Sequence, residues 1–217
     1  PHALLSRINN ALTLDERDYL TKVTAGKEFA AYLLPIRTVG VQGDHRTYSY
    51  ACAVSSLKSP DWATLPFLAR IIPRICHNIN RVVYVFGGQV AHPVNDVTVT
   101  YLRQPVVETL REVDEAVNKV LRESGYMNKI SQMPVILIPI HFDRDPLQCV
   151  TQASILRSVV LRPFVTTDFM TGLPAIPDEH IPENVVNKMV EAASSVPGIS
   201  RVLYDFTAKP PGTTEWE

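Results

Sequence analysis

The stretch Asn80-Arg81-Val82-Val83-Tyr84-Val85-Phe86 returns later in the chain as Ser200-Arg201-Val202-Leu203-Tyr204-Asp205-Phe206. Both runs are rich in β-branched and aromatic residues, the composition of a strand. What precedes each run is also alike. Leu65, Leu68, Ile72, Ile75 and Cys76 recur at helical spacing before the first, with Pro73 as a possible kink. Val185, Val186, Met189, Val190 and Ala193 do the same before the second, and Pro197-Gly198 stops that helix. A helix followed by a strand, twice, with matching strands, points to internal duplication.

Working outward, the match extends to element order. Residues 30–41 are apolar and broken by Pro35, Gly43-Asp44 reads as a turn, and over 46–54 Tyr48, Tyr50, Cys52 and Val54 share one face. That is a hairpin. Ser59-Pro60-Asp61-Trp62 predicts a helix start with Ser59 as N-cap and Pro60 in the first position. Leu14-Asp15-Glu16-Arg17-Asp18-Tyr19-Leu20 places acids at an earlier helix start. In the second half, Val106, Leu110, Val113, Val117, Val120 and Leu121 form an amphipathic stripe ended by Gly125. Residues 134–140 are continuously apolar and predict a strand buried on both faces. Residues 143–151 read as loop, 158–166 as strand, and 172–182, with three prolines, as loop. Both halves are therefore α-β-β-α-β. The predicted fold is α+β: two tandem units, each a small three-stranded sheet with helices on one face, paired as an intrachain pseudo-dimer. The boundaries are 1–90 for the first unit, 91–104 for a linker or excursion, and 105–217 for the second. A three-stranded sheet is marginal alone, and packing two together buries the faces each leaves open.

Composition narrows the function classes. Lys and Arg number 21 against 22 Asp and Glu, a net charge of −1, so no overall field attracts a phosphate backbone. No apolar run approaches the ~18 residues of a membrane span, and no signal peptide is expected at the start. Three cysteines, Cys52, Cys76 and Cys149, at unmotivated spacing suit free thiols in a reducing compartment, the cytoplasm or the nucleus. The chain opens at Pro1 and reads as the interior of something longer.

Motifs of catalysis are missing. There is no GxxxxGK[ST] loop, no GxGxxG, no nucleophile elbow and no CxxC or HxxxH pair. Cys76 lies on an apolar helix face and reads as core. His45 reads as an exposed turn histidine, and His141, Asp143, Arg144 and Asp145 as a solvated cluster after a strand. Three features could hold a ligand. The turn Gly43-Asp44-His45-Arg46-Thr47-Tyr48 presents an acid and an arginine two positions apart, and a guanidinium grips phosphate or carboxylate with two parallel bonds. Gln132 can both donate and accept at the start of a strand. The terminal Lys209-Pro210-Pro211-Gly212-Thr213-Thr214-Glu215-Trp216-Glu217 offers a cation, hydroxyls and an acid. Its prolines favour polyproline II, and Gly212 a turn. The alternative for the tail is simple docking, with Trp216 plugging a groove.

These segments, together with Thr167-Asp168-Phe169-Met170-Thr171, Pro197-Gly198-Ile199-Ser200-Arg201-Val202-Leu203-Tyr204-Asp205, Asn128-Lys129-Ile130-Ser131-Gln132-Met133-Pro134 and His141-Phe142-Asp143-Arg144-Asp145-Pro146, resemble the C-terminal region of glutamine-hydrolysing GMP synthases, the longer animal type above all. The resemblance implies conversion of XMP to GMP with ATP and glutamine. An amidotransferase domain releases ammonia, and an ATP pyrophosphatase domain adenylates the xanthine oxygen. It implies that this chain is the C-terminal part, that ATP and Mg are used by the full enzyme and not bound here, and that the chain alone does not turn over. Its expected partners are XMP and the upstream domains of the same polypeptide, with neither nucleic acid nor membrane. By resemblance, Asp44, Arg46, Gln132, Lys209 and Glu215 are expected to touch XMP, with Thr213 and Thr214 as further hydroxyl donors. Lys209 and Arg46 suit the 5′-phosphate, and Glu215 suits xanthine or ribose protons. In the shorter bacterial type the turn and the tail share one unit and two chains pair. Here they fall in different units, which implies one XMP site completed across an internal pseudo-twofold, and a monomer or weak homodimer. A protein-interaction module with relic substrate residues is the alternative. A nucleic-acid module lacks both a basic face and a GxxG loop.

Overall fold

Local chemistry sets the element ends. The computed structural model describes residues 2–42 and 45–216. Helix α1 (His2–Ala11) leads into α2 (Leu14–Thr24). The first turn of α2 is closed by a capping box in which Glu16 N–H donates to Thr13 Oγ1 at 3.2 Å and Thr13 N–H donates to the Glu16 carboxylate at 3.0 Å. Strands β1 (Phe29–Gln42) and β2 (His45–Ser56) form the long hairpin, and Pro35, which has no N–H, falls in the register break between Leu33 and Arg37. The turn residues Gly43 and Asp44 lie outside the described residues. Helix α3 (Thr64–Ile75) starts later than Ser59-Pro60 predicts. The Asp61 carboxylate accepts the N–H groups of Ala63 and Thr64, both at 3.0 Å, so Asp61 and not Ser59 satisfies the free amides.

Strand β3 (Ile79–Val85) is followed by a stretch without regular structure, then by α4 (Gln104–Glu123), with Gly125 at φ +76 after it. A short 3-10 turn (Met127–Lys129) precedes β4 (Val135–Ile138). The expected loop over 143–151 contains a helix, α5 (Pro146–Thr151), started by a second capping box between Asp145 and Gln148. The single strand expected over 158–166 is two, β5 (Arg157–Leu161) and β6 (Phe164–Val165). Pro163, which cannot donate, lies between them. Strand β7 (Leu173–Pro174), helix α6 (Glu183–Ser194) and strand β8 (Ile199–Asp205) complete the chain.

The two predicted three-stranded sheets merge into one six-stranded sheet of order β1-β2-β3-β8-β5-β4. Within each half the hairpin is antiparallel and the strand after the crossover helix is parallel. The halves join by antiparallel pairing of β3 with β8: Val83 opposite Asp205, Tyr84 opposite Tyr204, Val85 opposite Leu203. Tyr84 and Tyr204 are the same position of the sequence repeat, so the repeat register and the pseudo-twofold coincide at that pair. The bonds just outside it obey the same symmetry: Phe86 N–H donates to the Val202 carbonyl at 3.0 Å and Phe206 N–H to the Val82 carbonyl at 3.1 Å.

Helices α3, α4 and α6 cover one face, where Tyr84, Phe86, Tyr204 and Phe206 meet Trp62 and the helix stripes. The opposite face carries a second core of Leu34, Ala53, Val83, Val85, Val160 and Leu203, and the stretch after β3 lays Val90 and Val94 over it. The predicted linker is thus a lid on the sheet. Strand β4 has apolar residues toward both cores, as its pattern predicts, but it is an edge strand of four residues and only half-buried through Val135, Ile136 and Leu137.

Candidate functional site

The tail after β8 belongs by sequence to the second half and docks on the first. Val41 N–H donates to the Pro211 carbonyl at 2.7 Å, Val39 N–H to the Trp216 carbonyl at 2.8 Å, and Gly40 bridges Gly212. The outer edge of β1 is thereby paired over Val39–Val41. Arg46, exposed, stands opposite Val41 on the other side of β1. At about 4.8 Å per strand step, the backbones of Arg46 and Pro211 lie roughly 10 Å apart. Both glycines of this bridge are tightly surrounded. A Cβ on Gly40 would meet the buried Asn80 side chain at 2.6 Å, and one on Gly212 would meet the Ala208 carbonyl at 3.1 Å. Gly212 is needed for space, and not for a positive φ as the sequence suggests. The prolines do not form polyproline II: Lys209-Pro210 and Pro210-Pro211 are both cis, and the chain turns there, with Gly212 N–H donating to the Ala208 carbonyl at 2.9 Å.

Behind the tail lies a buried ionic knot. Asp205, Arg81 and Arg162 have side chains at most 1% exposed. One carboxylate oxygen of Asp205 faces Arg81 Nη1 at 3.1 Å, Arg162 Nη1 at 2.8 Å and the Trp216 indole N–H at 3.0 Å. The other accepts Thr207 N–H at 2.8 Å. Burial pushes the Asp205 carboxyl up, but Arg162 and Arg81 outweigh it and hold the group below its ordinary value. Burial pulls the Arg81 guanidinium down to about 10, against the opposing pull of Asp205. Most of the remaining N–H groups grip the tail backbone and β1, while Arg81 Nε is buried with no partner among the described residues. Arg81 donates to the carbonyls of Val39, Thr213 and Glu215 at 3.1, 3.3 and 2.6 Å. Arg162 donates to those of Thr214, Thr207 and Thr213 at 2.9, 3.0 and 2.7 Å. Trp216 is buried under the sheet with the Arg81 guanidinium over its ring.

Besides Arg46 on β2 and Thr214, whose carbonyl Arg162 holds, the candidate ligand residues divide into three groups. Asp44 lies outside the described residues. Thr213 faces inward: its hydroxyl takes a bond from Arg81 at 2.7 Å and donates to the Glu215 carbonyl. Lys209, Glu215 and Gln132 are held by their backbones and leave side-chain capacity. Lys209 pairs with Gly172 through both amide bonds, 3.0 and 2.9 Å. Its ammonium donates to the Phe169 carbonyl at 2.6 Å and lies 3.5 Å from the Thr214 hydroxyl. Gln132 pairs with Phe164, which packs against Gly172, so Gln132 and Lys209 are linked through the β6–β7 ribbon. The Gln132 Oε1 is buried with no partner among the described residues, an unsatisfied acceptor. Glu215 is exposed.

Elsewhere the predicted clusters are structural. Arg144 pairs with Asp96 and closes the end of α5 through the carbonyls of Gln148 and Gln152. Asp143 pairs with Arg201, and His141 Nδ1 accepts the Leu156 and Ile155 amides. Burial and then Arg144 hold the His141 imidazole below its ordinary value. A cavity of about 980 Å³ opens between α3 and the tail prolines, walled by Val41, Phe67, Pro73, Leu173, Pro210 and Pro211. None of the described candidate residues lines it. The ionic knot is the element that sequence reasoning missed. Arg81, Arg162 and Asp205 are single charges set in or beside apolar strand runs, where a charge is buried only if paired, but nothing local tells which of them pair.

The model of the GMP synthase C terminal domain matches residues 14–93 and 119–216. The chain belongs to the GMP synthase C-terminal domain family. The probable glutamine-hydrolysing GMP synthase of Caenorhabditis elegans is 45% identical over 98% of this chain and 30% of its own length. That of Dictyostelium discoideum is 42% identical over 85% of this chain and 26% of its own length. The chain thus spans less than a third of these relatives. The two matched segments correspond to the two halves seen around the pseudo-twofold, and the unmatched residues between them fall in the lid segment and the first part of α4. Among the described residues no helix is long and apolar enough to cross a membrane.

Proposed function

We propose that this chain is the substrate-binding C-terminal part of a glutamine-hydrolysing GMP synthase, which makes GMP from XMP with ATP and glutamine. The observation that carries the reading is its 45% identity to such an enzyme over 98% of the chain. In this reading the amidotransferase and ATP pyrophosphatase centres lie in the rest of the polypeptide, and the chain alone has no turnover. The reading assigns ATP and magnesium to those other domains. Lys209 and Arg46 take the 5′-phosphate as charge-assisted donors. Gln132 accepts a base or ribose proton at its unpartnered oxygen, and Glu215 accepts another. Asp44 and Thr214 complete the set. The docking of the second half's tail beside the strand paired to Arg46 supports one site shared by the halves. Because β3 already pairs with β8 inside the chain, the reading favours a monomer or weak homodimer, in the cytoplasm or the nucleus.

Steady-state kinetics of the full-length enzyme test this. Lys209→Ala should raise the KM for XMP roughly 10- to 100-fold, the worth of one hydrogen bond to a charged group, with the KM for ATP little changed. An unaltered KM for XMP in both Lys209→Ala and Arg46→Ala would sink the assignment.

A further inference from the structure

We infer that Asp205, through Arg81 and Arg162, is a positioning residue for the nucleotide-facing tail; the inference rests on the XMP reading above. Two guanidinium groups and one carboxylate leave the knot with one excess positive charge, fully buried. Such a charge needs compensation. The tail supplies it with the carbonyls of Thr213, Thr214 and Glu215, and the Glu215 carboxylate adds a favourable field at Arg81. The geometry is directional. Asp205 is fixed from within the sheet by Thr207 N–H and capped by the Trp216 indole. It orients both guanidinium planes, so that Arg81 Nη1 and Nη2 and Arg162 Nε and Nη2 donate to tail carbonyls, while Arg81 Nη2 also reaches the Val39 carbonyl of β1 and Arg81 Nε has no partner among the described residues. The tail is thus held by its carbonyls while the Glu215 carboxylate stays exposed and the Lys209 ammonium is anchored only to the Phe169 carbonyl and near Thr214. A backbone fixed before ligand arrives lowers the entropic cost of binding.

The test uses Arg162→Lys in the full-length enzyme. Lysine keeps a cation opposite Asp205 but lacks the planar fork that reaches three carbonyls. Two quantities are read. Exchange of the Val39 and Val41 amides, which donate to tail carbonyls, should quicken at least about tenfold, while that of Ala53 in the sheet core stays as in the parent. The KM for XMP should rise at least about tenfold with kcat at saturating XMP unchanged, a split that global destabilisation does not produce. Should Arg162→Lys fail to fold, Arg81→Lys is read in the same way. Unchanged exchange at Val39 and Val41 overturns the inference. So does faster exchange with an unaltered KM for XMP, provided Lys209→Ala raises that KM. If Lys209→Ala leaves it unaltered, the XMP reading has failed, and the positioning role for this ligand falls with it, while the exchange data still report whether the knot holds the tail.

Discussion

The two ends of the central strand pair occupy the same place under the pseudo-twofold and are built differently. Arg81 and Arg201 are equivalent positions of the repeat, and each reaches across the axis to the end of the other half's last strand. Arg201 donates to the carbonyls of Phe86 and Gly88 at 2.8 and 3.0 Å and pairs with Asp143, which is 46% exposed. Arg81 meets Asp205 and the tail in complete burial. Past Phe86 the chain turns away through Gly87 and Gly88, both at positive φ, and past Phe206 it returns as the tail that closes β1. The residue equivalent to Asp205 in the repeat is Val85, an ordinary core side chain. One arginine position therefore serves as a surface brace at one end and as the centre of a buried knot at the other. The difference comes from one extra carboxylate, one extra arginine and the terminal residues.

The largest contrast should come from removing each arginine. Arg81→Met leaves Asp205 with a single cation and takes the charged donor away from the carbonyls of Val39 and Glu215, to which the Thr213 hydroxyl is then the remaining donor. Loss of one partner from a buried ionic group costs about 3–5 kcal/mol. Arg201→Met should cost about 1–2 kcal/mol, because Asp143 can hydrate and two carbonyls lie near solvent. Urea unfolding of the two variants measures both. Equal losses would mean that the two ends are energetically alike despite their geometry.

Acid should find the knot as well. The folded value of Asp205 is depressed, so its contribution is complete above its unfolded value near about 3.9 and is lost as pH falls through the folded one. Stability should therefore decline with falling pH below about 4, and Asp205→Asn should flatten that limb while lowering stability at neutral pH. Glu16 adds a separate limb: the Thr13 amide, with Arg74 and Arg70, holds it down to about 2. Glu16→Gln removes only that one. Urea midpoints between about pH 6 and 2.5 separate them. An undiminished limb in Asp205→Asn would show that acid attacks elsewhere.

The sequence carried the fold further than the site. The repeat around Tyr84 and Tyr204 is readable because strand composition and helical spacing are local signals, and its register turned out to be the pairing register of the sheet. The hairpin, the long helix α4 and the crossover helices follow from the same periodicities. The misplaced details are those in which a single side chain competes with a pattern: Asp61 displacing Ser59 as the cap of α3, Asp145 and Gln148 making a helix of a loop, Pro163 dividing a strand. Merging of the two sheets was not legible, since edge pairing depends on which strand ends are left uncovered. Lys209, Gln132 and Arg46 were visible through motif resemblance. The knot that holds the tail was not, because Arg81, Arg162 and Asp205 are far apart in sequence, and only tertiary pairing distinguishes a buried triad from three stray charges.

Glycine substitutions give the smallest and most local comparison of the two ends. At the tail end, Gly40→Ala would drive a methyl to 2.6 Å from Asn80, whose amide is fixed by the Thr38 and Thr47 carbonyls at 2.9 and 3.2 Å. Overpacking against an immobile group costs about 1–3 kcal/mol. Gly212→Ala meets the Ala208 carbonyl at 3.1 Å and Arg162 at 3.3 Å, and belongs in the lower part of that range. At the other end Gly88 has open space around it, so Gly88→Ala costs only the positive-φ strain of about 1 kcal/mol. Thermal or urea midpoints rank the three. Exchange of the Val41 amide sharpens the result, because it should quicken in Gly40→Ala and Gly212→Ala and stay unchanged in Gly88→Ala. A Gly88→Ala variant that loosens Val41 would mean that the two ends are coupled through β3 and β8, and the tail could no longer be treated as an independent addition to a symmetric frame.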